Sequence, residues 1–347
     1  MARTLDRGVA AALAAALLFG AGTPAAKLLL AHTGPWLLAA LLYLGSGCGL
    51  WLLRRLRRAP AVRPSRGEWG WLAGATLAGG VVGPVLLMVG LRSMPATSAS
   101  LLLNAEGVLT ALLAWFAFKE NFDRRIALGM AAIVAGAVLL SWPGRGTLRL
   151  DGGALAVLGA CAAWAVDNNL TRKVSLGDAS FIAMLKGLVA GSTNLLLALL
   201  LGAQAPSLPV LAGAALLGFL SYGASLVLFV VALRHLGTAR TGAYFSVAPF
   251  FGAVLGVLGL HEPLTAPLLG AGALMALGVW LHLTERHGHW HEHEAQVHDH
   301  AHVHDAHHRH AHAEGIDPAE PHRHAHAHEA MAHAHPHYPD AHHRHPH

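Results

Sequence analysis

Two stretches that align without a gap decide the fold of this chain. The first is LRSMPATSASLLLNAEGVLTALLAWFAFKEN at Leu91–Asn121, and the second is LRHLGTARTGAYFSVAPFFGAVLGVLGLHEP at Leu233–Pro263. The shift between them is 142 residues, and it places Glu120 on Glu262. Each stretch joins an apolar run of membrane-spanning length to a charged boundary. The pattern indicates that one membrane-embedded unit occurs twice.

The composition supports a membrane protein. Of the 347 residues, 54% are hydrophobic and 12% are charged, whereas soluble domains have about 25% charged residues. A bilayer-spanning helix needs about 20 mostly apolar residues. Ten windows of about that length occur in the sequence: 9–31, 35–53, 69–91, 95–117, 126–142, 153–171, 179–203, 208–233, 239–260 and 264–283.

An odd number of spans per unit predicts that the two units insert in opposite directions. Residues 1–142 and 143–284 would each hold five spans, and FGAGTPAAK at Phe19 aligns with WAVDNNLTR at Trp164. The predicted fold is therefore an all-α polytopic membrane protein of ten transmembrane helices, arranged as two inverted five-helix repeats. Inverted repeats are typical of transporters, with the substrate near the membrane midplane.

The distribution of Lys and Arg predicts the orientation. If the N-terminus is cytoplasmic, fifteen of these residues fall on the inner side and three on the outer side. We expect both termini in the cytoplasm and the bundle in a bacterial-type inner membrane. No P-loop, nucleophile elbow, kinase signature or dinucleotide fingerprint appears, so an enzyme and a nucleic-acid partner are not expected.

Residues 8–284 resemble the EamA-like branch of the drug/metabolite transporter superfamily. The resemblance implies secondary transport of small organic solutes, often outward, and it implies that Trp164 lines the cavity. Besides the ten spans, it rests on these features: Gly20-x-x-x-Pro24-x-x-Lys27, the stretch Leu-Asn-Ala-Glu106, and the closing glutamates Glu120 and Glu262.

Glu106 is the strongest candidate for a functional side chain. It falls near the middle of its span, where a carboxylate costs at least about 2.5 kcal/mol on insertion scales. A carboxyl group in this place could carry a proton between the two sides or bind a cationic substrate. The structural alternative is a hydrogen bond to Asn104 or to a neighbouring helix.

Other polar residues inside the spans could support the pathway. Lys27 could bind a carboxylate or extend its amine to the headgroups. Asp167 and Lys186 could form an ion pair, which would serve as an inner gate or as a static strut. Asn168 is a pathway candidate beside Asp167, and Asn194 could bind substrate or join helices. Glu120 and Glu262 are expected to cap neighbouring helices.

The last segment, residues 285–347, is a separate histidine-rich tail. It holds 23 of the 27 histidines and few apolar residues, so we expect it to be disordered. Alternating histidines suit loose binding of Zn, Ni, Co or Cu, and no cofactor is expected to be required. The candidate metal ligands are His291, His293, His298, His300, His302, His304, His322, His324, His326, His328, His333, His335 and His337.

The sequence thus favours a secondary active transporter that exports a small organic metabolite or drug, with a metal-binding regulatory tail. One alternative is a divalent-metal exporter supplied by the tail. Another is a membrane-anchored metal sensor or store that transports nothing. The expected partners are membrane lipid, a small-molecule substrate and transition-metal ions at the tail, and a homodimer is one option for assembly.

Overall fold

The structure is a computed structural model of the full chain. It describes residues 2–62, 64–118, 124–141, 151–171, 174, 178–236, 241, 244–284, 288–293, 296–302, 322–328 and 331–336. The chain divides into two compact units, Met1–Thr284 and Glu285–His347. The first unit is helical throughout its regular elements.

Thirteen α-helices and two π-helices are described in the first unit. The α-helices are α1 (Ala2–Leu30), α2 (Pro35–Leu56), α3 (Arg66–Ala75), α4 (Gly83–Ser93), α5 (Ala96–Leu102), α6 (Ala105–Phe118), α7 (Arg124–Ser141), α8 (Gly152–Thr171), α9 (Ala179–Leu200), α10 (Leu208–Gly218), α11 (Ser225–Leu236), α12 (Ala248–Leu260) and α13 (Ala266–Leu283). The π-helices are π1 (Thr76–Val82) and π2 (Phe219–Ala224).

Described helical residues fall in all ten predicted windows. Six helical segments in the described residues are long and apolar enough to cross a membrane. Three shorter apolar helices accompany them: Ala127–Ser141, Ala248–Leu260 and Ala266–Leu281. The chain is therefore an integral membrane protein with several spans, and the count of ten remains a prediction.

Small residues let the helices of the first unit pack closely. Helix α2 packs against α9, and a Cβ at Gly47 would lie 2.6 Å from the backbone nitrogen of Leu188. Helix α1 packs against α12, where a Cβ at Gly20 would lie 2.3 Å from the Ala248 carbonyl. These approaches replace side-chain contacts by backbone contacts, as is common between membrane helices.

Two kinds of helix irregularity recur along the chain. The π-helices π1 and π2 end at Val82 and Ala224, which is again a shift of 142 residues. The fourth apolar window is interrupted by a turn at 103–104, and the ninth by a turn at 246–247. A π-helix replaces the usual hydrogen bonds with i→i+5 bonds and often marks a functional site.

The tail differs from the disorder that its composition predicts. Its described parts form four β-strands: β1 (Gly288–His293), β2 (Gln296–His302), β3 (His322–His328) and β4 (Met331–Pro336). Strand β1 pairs antiparallel with β4, and β2 pairs antiparallel with β3. Alternation of histidine with other residues has a period of two, which is also the period of a β-strand.

Candidate functional site

Glu106 lies in the first turn of α6, directly after the turn that separates α5 from α6. Its Oε1 accepts a hydrogen bond of 2.8 Å from the side-chain amide of Asn168 in α8. Asn168 also donates to the Thr110 hydroxyl at 3.3 Å. The half-buried carboxyl thus faces another helix, and its donor among the described residues is a neutral amide.

Asn104 does not bind Glu106, contrary to one of the predicted alternatives. Its side-chain nitrogen donates to the Leu101 carbonyl at 2.9 Å and lies 3.9 Å from the Met275 sulfur. A polar side chain that bonds to a nearby carbonyl competes with the regular helix. Asn104 therefore stabilises the interruption that precedes Glu106.

Asp167 and Lys186 form the ion pair that the sequence suggested. The lysine nitrogen lies 2.5 Å and 2.6 Å from the two carboxylate oxygens, and the Thr171 hydroxyl donates to one of them at 2.8 Å. Asp167 is 6% exposed. The pair joins α8 to α9, and both roles, inner gate and static strut, are compatible with this geometry.

The carbonyls of π1 accept hydrogen bonds from three other helices. The Gly79 carbonyl accepts from the Tyr43 hydroxyl at 2.8 Å and from the Trp164 indole at 2.9 Å. The Asn194 amide donates to the Gly80 and Val81 carbonyls at 3.2 and 3.4 Å. Trp164 and Asn194 therefore hold a π-helix. Tyr43 does the same, and the sequence analysis missed it.

A row of aromatic rings extends from Tyr43 across both halves of the first unit. Tyr43 contacts Tyr222 with ring centroids 5.6 Å apart, and Tyr222 contacts Phe19 at 5.9 Å. The row continues from Phe19 to Phe245 at 5.4 Å and from Phe245 to Phe229 at 4.9 Å. All five rings are half-buried. The sequence analysis missed this row, although the alignment of Phe19 with Trp164 was a signal.

Lys27 is bound to backbone carbonyls at the end of α4. Its amine donates to the Leu91 carbonyl at 2.5 Å and to the Met94 carbonyl at 2.8 Å. A cation near the last carbonyls of a helix is favourable because they carry a partial negative charge. Lys27 thus fastens the turn between α4 and α5, a role that the sequence did not suggest.

Glu262 binds the other side of the same turn. Its two oxygens accept hydrogen bonds from the backbone amides of Ala96 and Thr97 at 2.7 and 2.8 Å. These amides begin α5 and have no partner within their own helix. The capping role predicted for Glu262 is confirmed, whereas Glu120 lies outside the described residues.

An ion pair joins the last turn of α2 to the residue that precedes α9. The Arg54 guanidinium lies 2.5 Å from both the Asp178 carboxylate and the Ser180 hydroxyl. Burial opposes ionisation of Asp178, but the hydrogen bonds from Ser180 and Arg54 outweigh it, so the pKa of Asp178 is lowered from its ordinary value. The acid is therefore ionised at neutral pH.

Among the residues that the structure describes, no group of three or more His, Cys, Asp or Glu side chains could hold a metal ion. Of the predicted tail ligands, His304 and His337 lie outside the described residues. A cavity of about 440 Å³ opens between 32–37 and 203–207, and it contains none of the predicted site residues.

The family comparison decides the class of the protein. The model of the EamA-like transporter family matches the chain twice, at residues 6–142 and at residues 151–284. Together these segments cover most of the chain. The chain belongs to the EamA-like transporter family.

Relatives agree with membership in the EamA-like family. An uncharacterised transporter of Methanothermobacter thermautotrophicus is 28% identical over 79% of this chain and 85% of its own length. A probable 4-amino-4-deoxy-L-arabinose-phosphoundecaprenol flippase subunit of Pseudomonas fluorescens is 34% identical, over 29% of this chain and 96% of its own length. A solved crystal structure with a TM-score of 0.59 and 18% identity covers 79% of this chain and 94% of that one, which supports the fold.

The two EamA matches divide the site between them. Glu106, Thr110 and Tyr43 belong to the first match, while Asn168 and Trp164 belong to the second. The hydrogen bonds at Glu106 and at Gly79 therefore cross from one matched segment to the other. Membrane transport is the function of the family.

Proposed function

We propose that the protein is a secondary active transporter that exports a small organic metabolite or drug by alternating access. Two inverted five-helix units would rock against each other, with both termini in the cytoplasm. The double family match and the recurrence of a π-helix and of a helix interruption at a nearly constant shift support this arrangement. Transporters with broken helices commonly bind substrate beside the break.

The hydrogen bond between Asn168 and Glu106 carries the proposal. It places a carboxyl group at a helix interruption and at the contact between the two matched segments. A carboxyl group held by a neutral amide can exist in protonated or ionised form as the transporter opens to either side. Glu106 would therefore couple proton uptake to substrate release, with Asp167 and Lys186 on the same pathway.

Replacement of the carboxyl group tests the coupling role. A metabolite and metal-tolerance screen of cells with and without the gene first identifies a transported compound. In proteoliposomes, Glu106→Gln should then abolish transport while the protein still inserts and remains monodisperse. The matched control is Glu68→Gln, because the Glu68 carboxylate accepts a hydrogen bond, among the described residues, from the Ser65 amide at the start of its own helix. Unchanged transport by Glu106→Gln would exclude the proposed role.

The histidine-rich tail supports a second candidate, export of a divalent transition metal. In that case the tail would collect Ni, Co or Zn and deliver the ion to the bundle. Truncation after Leu283 separates the candidates. Loss of metal resistance with unaffected organic transport supports the metal exporter. Organic transport that persists but no longer responds to metal supports a regulatory tail. A sensor or store would transport neither class in the full-length protein.

A further inference from the structure

The connection between α2 and α3 carries a dense positive charge. Together with the end of α2 and the start of α3, it holds six arginines from Arg54 to Arg66. Arg54 is engaged by Asp178, Ser180 and the Pro60 carbonyl. Four exposed arginines remain among the described residues from 54 to 66, and none of them forms an ion pair with another described residue: Arg55, Arg57, Arg58 and Arg66. We call these four the arginine collar.

Exposed tryptophans and leucines lie close in sequence to the collar arginines. Trp51, Trp69 and Trp71 are 46%, 48% and 45% exposed, and Leu52 and Leu56 are 52% and 74% exposed. Tryptophan is enriched where a membrane meets water. These side chains need a partner with hydrocarbon, and the adjacent guanidinium groups need an anion. An anionic phospholipid supplies both, whereas a nucleic acid supplies only the anion.

One arginine of the collar stabilises a tryptophan contact. The Arg55 guanidinium lies over the Trp51 ring, 5.2 Å from its centroid. Such a cation–π contact favours one position of the long side chain, while the guanidinium group remains exposed. The charge of Arg55 is therefore held beside the exposed side chain of Trp51.

The backbone at Arg58 has a conformation that arginine rarely adopts. Helix α2 ends in a Schellman motif, in which the Ala59 amide donates to the Arg54 carbonyl at 3.0 Å and the Arg58 amide donates to the Arg55 carbonyl at 3.2 Å. Arg58 has φ of 49°, in the left-handed region. Glycine usually occupies this position because it has no Cβ. The chain thus has a strained arginine where glycine would fit better.

We propose that the arginine collar is a binding site for the phosphate-bearing headgroup of an anionic phospholipid, with Trp51, Trp69 and Trp71 in contact with its glycerol and acyl region. The site comprises the end of α2 and the start of α3, in the leaflet that the charge distribution predicts to be cytoplasmic. It is separate from Glu106 and independent of which solute is transported. Arginine is suited to it because its planar group binds phosphate in a bidentate manner.

Binding of a fluorescent phosphatidylglycerol to the purified full-length protein in neutral detergent tests the proposal. Unlabelled phosphatidylglycerol should displace the probe, while phosphatidylcholine, inorganic phosphate and a single-stranded RNA should not. Replacement of all four collar arginines by glutamine should lower the affinity more than a hundredfold, because each arginine near an anionic membrane surface contributes about fivefold. The matched control is Arg92→Gln, an exposed arginine at the end of α4, which should lower it less than twofold.

Arg58→Gly separates lipid binding from stability, because the two effects have opposite signs. Glycine removes the left-handed strain, so the midpoint of thermal unfolding in neutral detergent should rise by about 2 °C. The affinity for phosphatidylglycerol should fall about fivefold in the same variant. An unchanged lipid affinity overturns the proposal. It is also overturned if Arg92→Gln has the same effect, or if phosphate or RNA competes as well as the lipid does.

Discussion

The two π-helices share a backbone irregularity but are stabilised in different ways. Around π1, the side chains of Tyr43, Trp164 and Asn194 donate hydrogen bonds to its carbonyls. Around π2, rings and small residues pack instead: Tyr222 lies against Tyr43 and Phe19, and no side-chain donor to a π2 carbonyl occurs in the described part of the chain. The same backbone distortion is thus stabilised by polar contacts in one half and by apolar contacts in the other.

The difference indicates which segment is the more rigid. Side-chain donors fix the direction and distance of each carbonyl, because hydrogen bonds weaken steeply when their geometry changes. Ring contacts tolerate tilts and shifts of several tenths of an ångström. We therefore expect π1 to keep its position during transport and π2 to move against it, which makes the Tyr43–Tyr222 contact a sliding surface.

Substitution of one glycine in each π-helix should give the largest difference in the free energy of unfolding. A Cβ at Gly79 would lie 1.9 Å from a carboxylate oxygen of Asp167, so Gly79→Ala must displace the Asp167–Lys186 pair. Loss of a buried ion pair costs about 3–5 kcal/mol. A Cβ at Gly223 would meet Phe219 at 3.2 Å, so Gly223→Ala should change stability by less than about 1 kcal/mol. The free energy of unfolding in mixed micelles measures both.

The glycine pair also has a control within π1. A Cβ at Gly80 would lie 2.6 Å from the methyl group of Ala190, which is packing without charge. Gly80→Ala should therefore cost about 1–3 kcal/mol, less than Gly79→Ala. Equal losses at Gly79 and Gly223 would show that the ion pair does not distinguish the two segments.

The two stacked tyrosines allow a smaller and more direct test. Tyr43→Phe removes the hydrogen bond to the Gly79 carbonyl and should cost about 1 kcal/mol. Tyr222→Phe should cost less, because the described residues show no hydrogen bond from its hydroxyl, and the ring contacts remain. Amide hydrogen exchange of 76–82 should accelerate in Tyr43→Phe alone. Faster exchange in both variants would contradict the conclusion that side-chain hydrogen bonds stabilise π1.

The sequence predicts the helices of this fold well and their irregularities poorly. Apolar windows near 20 residues long identify where helices lie, because burial in lipid requires that length. The π-helices follow from contacts between distant helices, such as the Tyr43 and Trp164 donors to Gly79, and no local pattern specifies them. The glycines at 79, 80 and 223 were the available signal. The strands of the tail were missed because the alternation of histidine was interpreted as a metal-binding pattern and not as the period of a strand.

The site was predicted in part, for a similar reason. A carboxylate in hydrocarbon is costly wherever it lies, so Glu106, Asp167 and Lys186 could be selected without coordinates. Their partners could not all be selected, since Asn168 and Asn104 both lie in apolar spans and only packing decides between them. The carbonyl partners of Lys27 were inaccessible to sequence analysis, because every residue has a carbonyl.

Measurement of stability against pH gives the smallest expected effect. It distinguishes stabilisation by an ion pair from stabilisation by neutral hydrogen bonds. Tyr43, Trp164 and Asn194 carry no group that gains a proton in acid, so their hold on π1 should not change between pH 7 and pH 3. Asp178 fastens α9 to Arg54 and its pKa is lowered, so its contribution is present at neutral pH and is lost in acid. The pair is partly exposed and is worth about 0.2–1 kcal/mol.

The sign of the pH effect follows from the direction of the shift. A carboxyl group whose pKa is lower in the folded protein stabilises the fold above its ordinary pKa of 3.8, and the stabilisation disappears as the pH falls through the lowered value. The stability difference between the parent and Asp178→Asn should therefore shrink below about pH 4. Tyr43→Phe should keep its deficit throughout. A deficit for Asp178→Asn that persists at pH 2 would mean that capping of α9, rather than charge, fastens this end of the bundle.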